Sequence, residues 1–161
     1  MNDWKNFYDK IADIKFTMLV THDSSGKMQS RPFTTQAAGH DGAVWFFTRR
    51  DAEAATVVER DPEVLLCYAD PSAHRFISCR GEASLSHDRQ LIEQWWNPAY
   101  KIFFPEGRDD PLLVLMRVHV SKADIWDSDA SKMSQLFEMG KAALGMDVDT
   151  KALGEHQVLN K

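Results

Sequence analysis

Three arginines lie on or next to two predicted strands, and arginine side chains bind anions. Arg49 and Arg50 directly follow the aromatic segment 45–48, and Arg31 begins the segment 31–36, which is rich in hydroxyl and amide side chains. Guanidinium groups donate paired hydrogen bonds to phosphate and carboxylate oxygens. Strand edges with many donors beside a helix start therefore suit a flat polar ring with an anionic tail. An ordinary β-hairpin with solvated charges has the same pattern, and spacing alone favours that simpler interpretation.

The sequence offers no other pattern that is typical of catalysis or metal binding. None of the six histidines has metal-ligand spacing, and no carboxylate or cysteine cluster accompanies them. The absence of a Gly-x-Ser-x-Gly elbow, a Walker loop and a Gly-x-Gly-x-x-Gly motif argues against a nucleophilic hydrolase or a P-loop enzyme. Asp109 and Asp110 are predicted to be solvated charges. We therefore predict no metal site and name no catalytic residue.

Two further groups of residues have both a structural and a functional interpretation. Cys67 and Cys79 lie in strand-like segments without a Cys-x-x-Cys pair, so we expect buried apolar thiols in a reducing compartment rather than a disulfide. Several aromatic residues near position 100 could form a substrate lid, but core and dimer packing is the favoured interpretation. They are Trp95, Trp96, Phe103 and Phe104.

The composition is that of an ordinary globular protein. Of the 161 residues, 43% are hydrophobic and 27% are charged, which predicts one domain over residues 1–161 with a core of its own. The net charge of -5 argues against a nucleic-acid surface or an anionic membrane surface. We find neither an apolar run near the roughly 18 residues of a membrane span nor a signal-peptide core, so we expect a cytoplasmic protein.

Hydrophobic periodicity predicts about six strands with helices between and after them. Asp51 and Asp88 are expected to cap the second and third helices, and Gly81 to mark a bulge or a close backbone approach. The tail from residue 146 is weakly patterned. The predicted strands are 16–22, 28–36, 43–48, 64–69, 75–86 and 112–120 with its extension 123–126, and the predicted helices are 3–14, 51–60, 88–96 and 131–144. This order indicates an α+β domain built on an antiparallel barrel.

The order of these elements resembles the general stress protein 26 family over residues 3–145. The similar features are Arg31-Pro32-Phe33, the strand Trp45-Phe46-Phe47-Thr48, the helix that ends at Asp61-Pro62, the long glycine-containing strand and the late Ile125-Trp126. That family belongs to the pyridoxamine 5'-phosphate oxidase-like split barrels that bind flavin mononucleotide (FMN). The resemblance implies a mainly β, α+β fold, with a six-stranded antiparallel split β-barrel and flanking helices.

The resemblance also implies a homodimer with two FMN sites at the subunit interface. Residues of the second strand would face the ring and the ribityl chain, and residues at the end of the third strand would hold the phosphate. Trp126 would border the ring of the partner subunit. A small molecule such as a reduced nicotinamide would exchange electrons with the flavin. The ring and ribityl residues are Arg31, Pro32, Phe33 and Thr34, and the phosphate residues are Phe47, Thr48, Arg49 and Arg50.

The sequence departs from the family at the phosphate. Family members have a Ser-x-Lys after the third strand, and this chain has Ala52-Glu53-Ala54. Asp51 and Glu53 would repel an anion there, although acids suit a helix start when no anion is bound. Two hypotheses follow: an FMN-dependent oxidoreductase, or a non-enzymatic flavin-binding or stress-response dimer with a weakened or lost cofactor site. A third is a different planar ligand, such as a deazaflavin or heme.

Overall fold

Strands with alternating buried residues form most of the molecule. The computed structural model describes residues 3–127, residue 139 and residues 155–161. The strands are β1 (Phe16–His22), β2 (Met28–His40), β3 (Ala43–Arg49), β4 (Glu63–Asp70), β5 (Arg75–Ser86), β6 (Leu113–Asp127) and β7 (Glu155–Asn160). The helices are α1 (Asp3–Ala12), α2 (Glu53–Arg60) and α3 (Arg89–Trp95), with short 3-10 turns at Pro71–Ala73, Pro98–Ile102 and Gly107–Asp109.

Six of these strands close into an antiparallel barrel. Their order is β3-β2-β1-β4-β5-β6, and β3 pairs with the first half of β6 to complete the circle. β7 pairs with the second half of β6, from Lys122 to Asp127. The predicted fold, a mainly β six-stranded barrel with flanking helices, is confirmed. β7 is an addition that the weakly patterned tail did not predict.

The barrel interior is filled by the inward side chains of every strand. Large residues such as Leu19, Phe46, Leu66 and Met116 are fully buried there. Helix α1 adds Phe7, Tyr8 and Ile11, and α2 adds Ala54 and Val58 to the same core. Both helices have an apolar face at helical spacing, so their formation and their burial depend on each other.

A second, smaller core covers the outside of β3. Trp45 and Phe47 point away from the barrel interior and pack under α3 and the segment that follows it. The ring of Phe47 lies 5.9 Å from Trp96, 5.7 Å from Tyr100 and 6.2 Å from Phe104. Strand β3 is therefore buried on both faces, which explains its nearly continuous apolar sequence. Core packing of Trp95, Trp96 and Phe104 is confirmed; they and Tyr100 cover this cluster, while Phe103 is exposed.

Several local predictions can be compared with the structure. A Cβ atom at Gly81 would lie 2.3 Å from the carbonyl oxygen of His119, and the β5–β6 register shifts there, so the predicted bulge is confirmed. Asp88 caps α3 through the backbone N–H groups of Gln90 and Leu91, as expected. Asp51 as the cap of α2 is wrong, because the helix begins at Glu53 after Ala52 and Asp51 binds an arginine instead.

Other boundaries differ from the sequence-based prediction for tertiary reasons. β2 continues to His40 because register shifts let it follow β3, and 112–120 and 123–126 form one strand along β5. The predicted helix 131–144 lies outside the described residues, apart from Met139, whose backbone is helical.

Cys67 and Cys79 are free thiols, and Cys79 is buried. Over the described residues, none of the helices is long and apolar enough to cross a membrane.

Replacing Val118 or Phe47 with aspartate should abolish cooperative folding, because each side chain lies in one of the two cores. A buried unpaired charge costs several kcal/mol, against a total stability of about 5–15 kcal/mol. Thermal melting followed by circular dichroism measures this. Ile102→Asp is the matched control, since Ile102 is 79% exposed and the charge stays in water. Cooperative melting of both core variants near the parent temperature would contradict the strand assignments.

Candidate functional site

The barrel opens between β2 and β3, and this opening is called the split below. The β2–β3 ladder runs from His40↔Ala43 to Thr35↔Phe46. Beyond that pair, β2 continues toward Met28 along β1, while β3 continues to Arg49 along β6. The two strands therefore diverge, and the edges 28–34 and 47–49 face each other without a ladder between them. Seven of the nine residues predicted for the cofactor lie on these edges, and Arg50 lies directly beside them.

Backbone chemistry keeps the ladder from resuming beyond its last pair. The N–H of Thr35 donates to the carbonyl oxygen of Lys15 beyond the start of β1. Because backbone groups alternate in direction along a strand, Pro32 and Thr34 turn their backbone toward the split. Proline has no N–H, so β2 cannot extend the ladder to β3 at Pro32. The split is thus partly encoded by one residue type at one register position.

The opposite edge presents backbone groups as well. The N–H of Arg50 donates to the carbonyl oxygen of Leu112 at 2.8 Å, toward β6. By the same alternation, the backbone groups of Phe47 and Arg49 turn toward the split. The carbonyl oxygen of Arg49 accepts from the N–H of Ala52. The N–H groups of Thr34, Phe47 and Arg49 therefore line the opening from its two sides.

The predicted ring residues divide between two faces of β2. Pro32 and Thr34 pair with the exposed residues Met18 and Phe16, so their side chains lie on the outside of the barrel. Phe33 points inward and packs edge-to-face on Phe46, with ring centroids 5.7 Å apart. On β3, Thr48 points inward and is buried. Phe47 is buried in the second core outside β3, called the outer core below. Phe47 and Thr48 can therefore reach a ligand in the split only through their backbone, whereas Phe33 is partly exposed.

Arg31 lies at the end of the split that is farther from the last β2–β3 pair, called the wide end below. Its guanidinium donates to Thr21 Oγ1 at 2.9 Å and to Gln29 Oε1 at 3.1 Å. Its Nη2 atom also lies 4.0 Å from Glu53 Oε2, on the first turn of α2. The side chain is 20% exposed, so part of the guanidinium still meets solvent. Arg31 is therefore placed where an anionic tail was predicted, but Glu53 already faces it.

Arg49 is held between two carboxylates. Its Nε and Nη2 atoms donate to both oxygens of Asp51 at 3.0 and 3.1 Å, and its Nη1 atom donates to Asp110. The Asp51 hydrogen bond raises the pKa of Arg49, and the Arg49 hydrogen bond lowers the pKa of Asp51, so this pair stays charged. Arg49 thus joins the end of β3 to the segment before β6.

Asp110 corrects the prediction that both acids of the 109–110 pair are solvated. Its side chain is 1% exposed, and besides Arg49 it accepts from the N–H of Leu112 at 2.9 Å. Asp109 follows the prediction, since it is 83% exposed and lies 3.3 Å from Arg89. Local sequence does not distinguish the two acids, because the burial of Asp110 depends on Arg49, 61 residues away.

Arg50 points to a different side of α2. Its Nη2 atom lies 2.7 Å from His87 Nε2 and 3.9 Å from Glu59 Oε1. Glu59 is six residues after Glu53, so the two acids lie about 9 Å apart along the helix axis and on different faces. Arg31 and Arg50 therefore do not converge, and the structure does not bring the three predicted arginines into one anion site.

The helix start near Arg31 adds no side-chain donor. Ala52 occupies the N-cap position of α2 and makes no side-chain cap hydrogen bond. Ala54 follows inside the first turn and is buried. The charged groups around this end of the barrel comprise three arginines and four carboxylates: Arg31, Arg49 and Arg50, with Asp51, Glu53, Glu59 and Asp110. Their formal sum is negative, which opposes a bound anion.

Trp126 lies far from the split of its own chain. It pairs with Phe76 on the outside of the sheet, while Thr34 pairs with Phe16 on the same side. Through β1, β4 and β5, strands β2 and β6 are four strand spacings apart, or about 19 Å along the sheet. On the other side, β3 pairs only with the first half of β6, which does not contain Trp126. Trp126 therefore cannot border a ring held at Thr34 in the same subunit.

The outside of the sheet exposes a band of apolar residues, called the outer face below. Cross-strand pairing places Met18 beside Pro32 and Cys67, and Asp124 beside Val158. The exposed large residues on this face are Phe16 at 61%, Met18 at 40%, Val158 at 43% and Phe76 at 37%. An apolar band of this kind is typical of a protein–protein interface.

The structure also identifies residues at the closed end of the split that the sequence did not single out. The hydroxyl of Tyr100 donates to Gln36 Oε1 at 2.8 Å. Gln36 is next to Thr35, the residue of β2 in the last β2–β3 pair. Gln36 Nε2 in turn lies 3.4 Å from the carbonyl oxygen of Thr34. Because the ring of Tyr100 also packs on Phe47, the segment that follows α3 joins both edges of the opening.

Metal and thiol chemistry have no support in the described part of the chain. No group of three or more histidine, cysteine, aspartate or glutamate residues there is arranged to hold a metal ion. Burial raises the pKa of the Cys67 and Cys79 thiols, which disfavours the reactive thiolate. Two surface depressions of about 260 and 280 Å³ lie beside Trp96 and Leu85, away from the split.

A six-stranded antiparallel barrel that opens between two adjacent strands places this protein in the split-barrel class. The chain belongs to the pyridoxamine 5'-phosphate oxidase-like family, which it matches over residues 2–149. This confirms the resemblance given by the order of motifs. The family includes oxidases, and solved structures of general stress protein 26 proteins are among the chain's structural neighbours.

Individual relatives support the same fold. A protein from Jannaschia sp. CCS1, described as a candidate general stress protein 26, superimposes with a TM-score of 0.72 over 100% of both chains at 23% identity. The general stress FMN/FAD binding protein of Xanthomonas citri has a TM-score of 0.67 at 24% identity, covering 79% of this chain and 89% of that one. Protein bli-3 of Neurospora crassa is 26% identical over 133 residues, which span 76% of this chain and 62% of that relative.

Asp110→Asn should lower the free energy of unfolding by about 1.5–3 kcal/mol, because Arg49 loses a buried charged acceptor. Urea denaturation measures the change. Asp109→Asn is the matched control on the neighbouring exposed residue and should change stability by less than about 0.5 kcal/mol. Equal effects of the two substitutions would show that Asp110 is not the buried partner of Arg49.

Proposed function

We propose that two copies of this chain form a homodimer that binds a flavin of the FMN class in each split and exchanges electrons with a small molecule. The observation that carries the proposal is the position of Trp126. It shares the outer face with Thr34 but lies about 19 Å from it along the sheet. The family resemblance assigns Trp126 to the ring of the partner subunit, and a second copy packed on this face would bring its own Trp126 to the split.

The exposed outer face supports the dimer. Phe16, Met18 and Phe76 are large apolar residues that would leave water in such an interface. Pro32 and Thr34 lie on the same face, at the edge of the split. The interface and the ligand site are therefore continuous in this proposal.

The closed end of the split, called the ring end below, fits a planar heterocycle. N–H groups of Thr34 and Phe47 turn toward it from opposite strands, and Tyr100 holds Gln36 at its closed end. A flavin ring needs hydrogen bonds at its pyrimidine edge and apolar contacts on its faces. When bound, the flavin would supply hydride or electron transfer, and this chain's residues would orient the ring and exclude water. The name of the Xanthomonas citri relative, an FMN/FAD binding protein, agrees with this ligand class.

The wide end of the split, where the flavin phosphate would lie, fits this ligand less well. This favours a second candidate function. Arg49 is bound by Asp51 and Asp110, and Arg50 lies beside His87 and Glu59. A flavin held by its ring alone could be bound weakly, which would suit a non-enzymatic binding or stress-response dimer. The two candidates share the fold, the dimer and the ring site, and differ in turnover.

Phe16→Glu should convert the dimer into a monomer, because it places a charge in the middle of the proposed interface. Analytical ultracentrifugation measures the mass of the full chain. Ile102→Glu is the control, since Ile102 is equally apolar and exposed but lies on the 3-10 turn Pro98–Ile102 away from the outer face. A parent protein that sediments as a monomer at high concentration would overturn the dimer.

Titration of the full chain with FMN should quench flavin fluorescence and shift the visible absorbance of the flavin. The flavin-loaded protein should then oxidise a reduced nicotinamide in the presence of an electron acceptor, followed by absorbance, if the oxidoreductase hypothesis holds. Binding without steady oxidation would favour the non-enzymatic dimer. Absence of any spectral change with FMN would overturn the flavin assignment, and a heme or deazaflavin spectrum of the purified protein would replace it.

A further inference from the structure

We propose that this site does not recognise the phosphate of its ligand, so that it accepts flavins with a neutral tail, such as riboflavin, as well as it accepts FMN. The inference rests on the proposed flavin function and concerns its substrate class. It follows from the charges that surround the wide end of the split.

The first argument is that Arg49 already has two carboxylate partners. Its Nε, Nη1 and Nη2 atoms donate to Asp51 and Asp110, and Asp110 is buried. A phosphate that displaced Asp110 from Arg49 would leave this buried carboxylate with the N–H of Leu112 as its remaining hydrogen-bond donor, which is strongly unfavourable. Arg49 is therefore a structural tie and not a phosphate ligand.

The second argument concerns Arg31, the arginine that does face the split. Glu53 lies 4.0 Å from its guanidinium and is 63% exposed, at the point where a phosphate would approach. Like charges at such distances repel one another, and the flavin phosphate has nearly two negative charges. Arg31 and Glu53 together offer a nearly neutral surface to a ligand tail.

The third argument is the start of α2. Its N-cap is Ala52, and Ala54 is buried in its first turn, so neither position supplies a hydroxyl or an ammonium group. Asp51 and Glu53 are negative at the end of the helix where the backbone dipole would attract an anion. These acids take the place that a phosphate would need.

The ring end shows the opposite character. Thr34, Phe47, Gln36 and Tyr100 present neutral hydrogen-bonding groups and apolar surface, and the outer core fixes Phe47 and Tyr100 in place. Riboflavin and FMN have the same ring and differ in the tail phosphate. Interactions at the ring end therefore favour both ligands equally.

The test compares riboflavin and FMN by fluorescence titration of the full chain at low and moderate salt. We expect dissociation constants within about threefold of each other. A site that used even one charge-assisted contact to the phosphate would favour FMN by about 10-fold or more at low salt, and the preference would fall as salt is added.

Glu53→Lys reverses a charge that the inference invokes, on a side chain that is 63% exposed. It should tighten FMN binding by about 10-fold and leave riboflavin binding unchanged, because only FMN has the phosphate. Glu59→Lys is the matched control, since it makes the same change on another face of the same helix. Circular dichroism confirms that each variant is folded.

The outcomes separate the inference from the proposed function. Equal affinities in the parent protein, with a gain for FMN in Glu53→Lys and none in Glu59→Lys, support both. FMN binding at least about 10-fold tighter in the parent protein overturns the inference and leaves the flavin function standing. If neither riboflavin nor FMN binds, the flavin function is wrong and the inference falls with it.

Discussion

The structure depends on the point where β2 and β3 stop pairing. The ladder ends at Thr35 and Phe46. Backbone alternation turns Pro32 toward β3, and proline has no N–H to offer there, so the ladder cannot resume at that position. From the last pair onward β2 follows β1 and β3 follows β6, which keeps the barrel closed elsewhere. The divergence leaves unpaired strand edges inside an otherwise complete fold. Unpaired edges bind other groups readily, and this gives the chain its candidate ligand site.

The wide end of the split shows how pairing decides the role of a charged residue. Three arginines close to one another in sequence have three separate environments, because each meets a different carboxylate: Glu53, Asp110 or Glu59. The ion pair between Arg49 and buried Asp110 joins the end of β3 to the segment before β6, so this arginine stabilises the fold. The arginines alone would favour an anion here, whereas the four carboxylates that surround them make the formal sum negative.

The outer face links the fold to assembly. β1, β2 and β5 each turn apolar side chains outward in one band, although the interior of the barrel is already full. Residues on this band, including Thr34 and Trp126, are widely separated within one chain because the sheet order places four strand spacings between them. Two-fold pairing of such faces brings separated residues together, which is the geometric basis for the proposed shared site.

The sequence by itself determined the barrel strands, the cap at Asp88, the close approach at Gly81 and the family, because these follow from local periodicity, turn residues and motif order. The resemblance pointed to residues 31–34 and 47–50, and the structure places these segments along the opening. Only the tertiary structure decided which carboxylate each arginine meets, that Asp110 is buried, that Phe33 and Phe47 point into cores, and that β7 completes β6. The reason is physical: periodicity reports which face of an element is apolar, but a charged side chain's role depends on partners that are distant in sequence, such as Asp110 for Arg49 and His87 for Arg50.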